Sequence, residues 1–189
     1  LVIQGQISII EGWTFRQVRA ALDQHPAIRH DTAGLSDEQI LARIEVAEDV
    51  AEGLFFPDTY HFAAGTSDLT ILKQAYALMQ TKLQTLWVRR ASGLPLASAY
   101  EALILASIVE KETGSDGERD TIAAVFVNRL KRGMRLQTDP AVIYGLGERF
   151  DGNLRRRDLD ADTPYNTYTR SGLPPTPIAN PGAASLAAV

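Results

Sequence analysis

The sequence predicts an α+β fold that is mainly helical, and three observations carry that expectation. A β-branched, loosely alternating run from Leu1 to Ile10 suits a strand. Thr14 with Gln17, Ser36 with Gln39 and Ser98 with Glu101 each have the spacing of a capping box, so helices should start there. Leu69, Leu72, Tyr76, Met79, Leu83 and Leu86 keep helical spacing over a long stretch. With 189 residues, 45% hydrophobic and 22% charged, the chain can fill one full core and a small satellite.

Taken in order, Glu11-Gly12 turns the strand into a helix that should reach about Asp23, and Ile40, Leu41 and Ile44 line a second short helix. Residues 1–52 thus read as a small α+β unit and residues 53–189 as the remainder. The stretch from Gly53 to Phe62 places four aromatics around Pro57 and Asp58, which predicts a loop anchored in a core. The long helix should end at Ser92-Gly93-Leu94-Pro95, and the next should run from Ser98 through about Glu112, stopped by Thr113-Gly114. A further helix carries Ile122, Phe126 and Leu130 on one face to Gly133. Asp139 then reads as an N-cap with Pro140 at the first helical position, for a short helix to Gly145. Beyond Gly147 the segment rich in Pro164, Pro174, Pro175, Pro177 and Pro181 predicts an ordered loop and short hairpin that cover something.

Composition excludes several functions. The formal charge is -4 and the one dense basic run is Arg155-Arg156-Arg157, so nucleic acid is not an expected partner. There is no cysteine, hence no disulfide or thiolate metal site. His25, His30 and His61 lack a paired metal spacing, and there is neither a glycine-rich phosphate loop nor a Gly-x-Ser-x-Gly elbow, so no metal or cofactor is expected. No apolar run approaches the roughly 20 residues that span a bilayer. Leu1 and Val189 read as cut ends, which leaves room for an anchor or further domain outside this sequence.

The chemical anomaly lies in the helix ending at Glu112. At about 100° per residue, Ile104, Leu105, Ile108 and Val109 mark an apolar stripe, Glu112 continues it, and Glu110 falls nearly opposite. A carboxyl closing an apolar stripe is partly desolvated, the setting a general acid needs. A frayed helix end that swings Glu112 into water fits the same pattern, and Glu110 suits a solvated or salt-bridged position. Spacing alone leaves the function open.

The residues themselves resemble a family. Ala106-Ser107-Ile108-Val109-Glu110-Lys111-Glu112-Thr113, Glu118-Arg119-Asp120, Val125-Phe126-Val127-Asn128-Arg129-Leu130, Gly133-Met134-Arg135-Leu136-Gln137-Thr138-Asp139-Pro140 and Tyr165-Asn166-Thr167-Tyr168 occur in this order. The set resembles the endolytic murein transglycosylases, the MltG/YceG-like family. Glu11-Gly12, Phe56-Pro57-Asp58-Thr59-Tyr60, Gly172-Leu173-Pro174-Pro175 and Ala179-Asn180-Pro181-Gly182 extend the likeness over nearly the whole chain. The wider lysozyme-like transglycosylases carry a helix ending in Glu-Ser, a Gly-Leu-Met-Gln type segment and a Tyr-Asn pair. Aligning these with Glu112-Thr113, Met134 to Gln137 and Tyr165-Asn166 selects Glu112 as the acid.

The resemblance implies a lysozyme-like catalytic domain over residues 53–189, truncated at its C-terminus, behind the end of a LysM-like module in residues 1–52. It implies a lytic transglycosylase, cutting between N-acetylmuramic acid and N-acetylglucosamine to leave 1,6-anhydro ends, with Glu112 as acid and then base. One carboxyl group suffices for that reaction, whereas hydrolysing glycosidases usually need two. Gln137 is expected to bind the glycan or orient Glu112, though a turn-stabilising glutamine fits as well. Tyr165 and Asn166 are expected to bind an N-acetyl group or position the acid, against a tyrosine merely satisfied at the rim of a core. Thr138 and Asp139 are expected as cap residues adjoining the cleft, and Arg129 suits a buried ion pair. Glycan strands and the peptidoglycan synthases are the implied partners, and an anchor in the cytoplasmic membrane with the domain facing the wall is the implied location. Two rivals stay open: a hydrolase using Asp139 or Asp58 to place water, and a binding or scaffolding module without catalysis.

Overall fold

Strand β1 (Gln4–Ser8) pairs antiparallel with β2 (Thr59–Ala63), Gln6 opposite His61 and Ile7 opposite Tyr60, in a computed structural model that describes residues 4–189. The first three residues of the expected N-terminal strand lie outside the described residues. β2 corrects the expectation of a loop through Phe62. From Thr59 onward burial alternates, with Tyr60 and Phe62 inside and Thr59, His61 and Ala63 outside. That is the period of a half-buried strand, masked in the sequence by the turn before it. The sheet therefore joins strands from either side of residue 52.

Between the strands lie α1 (Phe15–Gln24) and α2 (Asp37–Arg43), and both capping boxes form. The Thr14 and Ser36 hydroxyls accept from the Gln17 and Gln39 N–H groups, and each glutamine side chain accepts in return from the cap N–H. Helix α3 (Asp68–Val88) buries Leu72, Met79 and Leu83 and half-buries Leu69, Tyr76 and Leu86, the face its periodicity predicted.

Helix α4 (Ala99–Glu112) is the axis of the molecule. Ala102 to Val109 are all buried, because α3, α5 (Arg119–Lys131), α6 (Asp139–Leu146) and α8 (Ala183–Ala188) surround it. A helix apolar on every side belongs inside a protein, so the stripe read from the sequence was narrower than the buried surface. Truncating Leu103 or Leu105 in this setting should cost ~2–5 kcal/mol.

The proline-rich segment corrects the expected hairpin. It forms the short helix α7 (Arg156–Asp160), turns and α8, and among the described residues the strands are β1 and β2. Proline lacks the N–H that a ladder needs. The segment instead threads into the core through side-chain bonds. Ile178 N–H donates to the buried Ser107 hydroxyl at 3.0 Å. Buried Asn180 accepts from Phe55 N–H at 3.0 Å and donates to the Trp13 carbonyl at 2.9 Å. At Gly53 φ is 80°, and a Cβ there would stand 2.3 Å from Pro177 Cβ, so glycine is required where the aromatic loop meets this tail. One core consequently runs from Ile7 through Phe55, Met79 and Leu105 to Leu186. Among the described residues no helix is long and apolar enough to cross a membrane.

Candidate active site

Helix α4 ends firmly at Glu112. The Thr113 N–H and hydroxyl both donate to the Val109 carbonyl, at 3.0 and 2.6 Å, so the last turn is closed by its own C-cap. Glu112 is half-buried, and its Oε1 accepts a 2.5 Å hydrogen bond from the Thr138 hydroxyl. The frayed, solvated alternative is not what the structure contains. Oε2 accepts no hydrogen bond from the described residues.

Of the two residues expected at the start of α6, Thr138 and not Asp139 holds the N-cap position. Asp139 is first in the helix and Pro140 second, and Thr138 makes no side-chain cap bond. The physical reason is orientation: the hydroxyl is turned to donate to Glu112, and its oxygen accepts from no α6 amide. The segment before it is held from outside. Gly133 ends α5 at φ 64°, Met134 N–H bonds the Arg129 carbonyl at 2.8 Å, and the Arg129 guanidinium donates to the Leu136 carbonyl. Gln137 follows at φ 53°, a left-handed conformation that costs a non-glycine residue energy and is sustained only by its surroundings.

Glu112 and Gln137 line one open concavity of about 260 Å³, together with Thr121, Ile122, Val125, Phe126 and Arg129. Its wall combines apolar Ile122, Val125 and Phe126 of α5 with polar Thr121 and Arg129 of the same helix and with Glu112 and Gln137. Arg129 does not form the ion pair expected of it; among the described residues it has no carboxylate partner, and its guanidinium serves the Leu136 carbonyl.

Of the residues singled out in the sequence, the fold brings together Glu112, Gln137 and Thr138. Asn166 is buried, and its amide donates to the carbonyls of Asp158, Leu159 and Ala161 while its oxygen accepts from Tyr168 N–H. Such a saturated amide shapes a loop. Tyr165 points its hydroxyl to Thr176 at 2.8 Å and sets its ring edge-on to Tyr144. Neither Tyr165 nor Asn166 lines the Glu112 concavity.

Two residues of the same motif, not singled out beforehand, reach the site. The Thr167 hydroxyl, buried, accepts from Thr138 N–H at 3.0 Å and donates to the Thr138 carbonyl at 3.2 Å. The Tyr168 hydroxyl donates to Asp139 Oδ1 at 2.6 Å. Burial, then the bond to Asp139, then the charges of Asp139 and Glu112 push this phenol up to about 12, so it stays a donor at neutral pH. Asp58, by contrast, sits at the start of β2 and accepts from Thr59 N–H.

Glu110 is locked elsewhere. Its Oε2 accepts from Ser185 at 2.6 Å and Gly182 N–H at 3.0 Å, and Arg119 stands 4.0 Å from its Oε1. It fastens α8 to α4 and is the salt-bridged residue expected, not a solvated one. Beyond the far end of α6 is another carboxyl the sequence reading overlooked. Glu52 is 6% exposed, accepts from Phe15 N–H at 2.8 Å and lines a recess of about 790 Å³ with Tyr144 and Phe150. Burial raises it from 4.5 to about 7.

Asp23, His30 and Asp68 place one potential ligand atom each within 4.8 Å of one another. Buried Asp68 already accepts from Thr32 N–H, the Thr32 hydroxyl and Leu69 N–H, which leaves it little capacity for a cation. Each arginine of the basic run is paired, Arg155 with Asp151, Arg156 with Asp160 and Arg157 with Asp158.

Residues 2–189 match the model of the YceG-like family. The chain is 35% identical to an endolytic murein transglycosylase of Bacillus subtilis over 196 aligned positions, covering 95% of this chain and 54% of that protein. It is 35% identical to an endolytic murein transglycosylase of Streptococcus pneumoniae over 134 positions, 69% of this chain and 24% of that one. The crystal structure of a YceG-like protein from Listeria monocytogenes superposes with a TM-score of 0.78 at 30% identity, covering 99% of this chain and 66% of the other. The chain thus spans about half the length, or less, of the curated relatives it matches.

Proposed function

The chain belongs to the YceG-like family, and on that footing we propose that it cuts the glycan strands of peptidoglycan as an endolytic lytic transglycosylase with Glu112 as its acid and base. The observation that carries the assignment is the 2.5 Å bond from Thr138 to Glu112 Oε1 at the edge of an open concavity. A protonated carboxyl held through Oε1 has Oε2 for the proton. Oε2 then donates to the glycosidic oxygen between N-acetylmuramic acid and N-acetylglucosamine, the C1–O bond breaks, and positive charge develops at C1 and the ring oxygen. The muramoyl 6-hydroxyl attacks C1, its proton passes to Oε2, and a 1,6-anhydro end forms with no net consumption of water.

Gln137 is the substrate-facing amide in this reading, carried into the concavity by its left-handed backbone. Thr138 acts through Glu112. Tyr165 and Asn166 contribute by shaping the loop behind the site. The β1-α1-α2-β2 order suits a LysM-like unit, and the α4-centred helices suit a lysozyme-like core. The same reading places the whole protein at the cytoplasmic membrane, facing the wall and working beside peptidoglycan synthases.

A second reading is favoured by Tyr168 and Asp139. Asp139 follows Thr138 directly and is held by a phenol that feels the charge of Glu112, so a hydrolase could use Asp139 to place water. Glu112→Gln tests what both readings share. It keeps the shape and removes the proton, so cleavage of purified glycan strands should fall about 10³-fold. Unchanged cleavage would remove Glu112 from the mechanism.

A further inference from the structure

The loop that carries Thr167 makes more contact with the site than a covering loop needs to. Gln137 N–H donates to the Thr167 carbonyl at 3.1 Å. The Thr167 hydroxyl then takes Thr138 N–H and gives its own proton to the Thr138 carbonyl. One hydroxyl thereby fixes the peptides on both sides of a single residue. Both threonines are buried, Thr138 at 0% and Thr167 at 3% exposed, so water is poorly placed to replace either bond.

What is being held is an arrangement the local chain does not favour. Threonine at an N-cap ordinarily gives its oxygen to the amides of the first turn. In α6 the second residue is Pro140, which has no N–H, so Ala141 N–H would be the natural partner. Thr138 instead turns its hydroxyl to Glu112, next to a glutamine in a left-handed conformation. Strained backbone beside a functional group persists only where its surroundings over-determine it.

We infer that Thr167 is a positioning residue for Glu112: by clasping the backbone of Thr138 it keeps the Thr138 hydroxyl on Oε1 and so leaves Oε2 to carry the proton. The inference rests on Glu112 being the acid. Freed of the clasp, Thr138 can rotate toward Ala141 N–H, and the Glu112 carboxyl loses the contact that distinguishes its two oxygens. The Thr167 hydroxyl bonds Thr138 alone, while the contact to Gln137 is made by the Thr167 carbonyl, which a side-chain substitution leaves in place. The effect of removing the hydroxyl therefore has to vanish once Thr138 has no hydroxyl.

The experiment is a double-mutant cycle on glycan-strand cleavage, with a melting curve for each protein. Thr167→Val should lower kcat about tenfold with KM within about twofold, the pattern of an interaction exerted on the chemical step. Thr138→Val should do the same, and the double variant should be no slower than Thr138→Val alone. Should the valine side chain prevent folding, Thr167→Ala against Thr167→Ser makes the same comparison, with loss expected in the first and near-normal kcat in the second. Additive losses in the cycle, a change confined to KM, or an alanine variant as fast as the serine one would overturn the inference. Glu112→Gln keeps the two ideas apart. If it still cleaves, the assignment of the acid fails; if it is inactive while the threonine losses add, the clasp alone fails.

Discussion

The two ends of α6 hold two glutamates under opposite regimes. At its N-terminus Glu112 is half-buried, takes one short bond from Thr138 and opens onto a small concavity. At its C-terminus Glu52 is nearly sealed, takes Phe15 N–H at the start of α1, and sits behind Tyr144 in a larger recess. A search for a displaced titration would choose Glu52, which burial holds near 7. Reach and partner geometry choose Glu112. A carboxyl that fills the unmet N–H of a helix start has a structural reason for its environment, whereas one bonded through a single oxygen at the rim of a cleft keeps its other oxygen for a substrate. Burial of a charge is thus a poor guide to catalysis unless something outside the protein can reach it.

The sharpest way to break this comparison is to exchange the tests. Glu52→Gln preserves the acceptor for Phe15 N–H and should cleave glycan at the wild-type rate, while Glu112→Gln is slower by about 10³-fold; equal rates for the two variants, measured on one strand preparation, would dissolve the contrast. Next in size is a stability effect that belongs to Glu52. Its folded value of about 7 lies above the ordinary 4.5, so between those values the folded chain holds a proton that the unfolded chain releases. Stability is therefore fully present below about pH 4.5 and declines as pH rises toward 7. The decline is on the order of 3 kcal/mol, read as a falling denaturation midpoint. Glu52→Gln should flatten that slope; a wild-type midpoint that rises from pH 5 to 7 would contradict it.

Smaller effects separate the two tyrosines. Tyr168→Phe removes the donor to Asp139 beside Glu112 and should lower kcat several-fold with the melting temperature nearly unchanged. Tyr165→Phe removes the bond to Thr176 beside Tyr144 and should cost about 1 kcal/mol of stability without slowing cleavage. Reversed outcomes for the pair, one by rate and the other by melting, would move the site from the Glu112 end of α6 toward the Glu52 end.

The features legible in the sequence were those fixed within a few residues. The capping boxes at Thr14 and Ser36, the end of α4 at Thr113 and the buried face of α3 depend on neighbours along the chain. Glu112 could be preferred to Glu110 because α4 is regular, although the packing partner that locks Glu110 lies 75 residues away in Ser185. The misreadings were cases where distant contacts outrank local rules. Thr138 holds the N-cap position of α6 and Asp139 the first helical one, yet the Thr138 hydroxyl makes no cap bond and is turned to a glutamate 26 positions earlier. β2 was hidden by the turn at Pro57, and the hairpin expected near the end gave way to side-chain anchors such as Asn180. Tyr165 and Asn166 drew attention as a pair, yet the next two residues of that motif reach the site. The one available signal was that Thr167 and Tyr168 also carry hydroxyls, and a buried hydroxyl has to find a partner.

The central claim is that one carboxyl group completes the reaction without water, and the mass of the newly formed glycan ends tests it most directly. Digestion of purified strands by the wild-type protein should yield 1,6-anhydro-muramoyl ends, lighter by one water than reducing ends. Reducing ends alone would contradict the account and transfer the second half of the reaction to a water placed by Asp139.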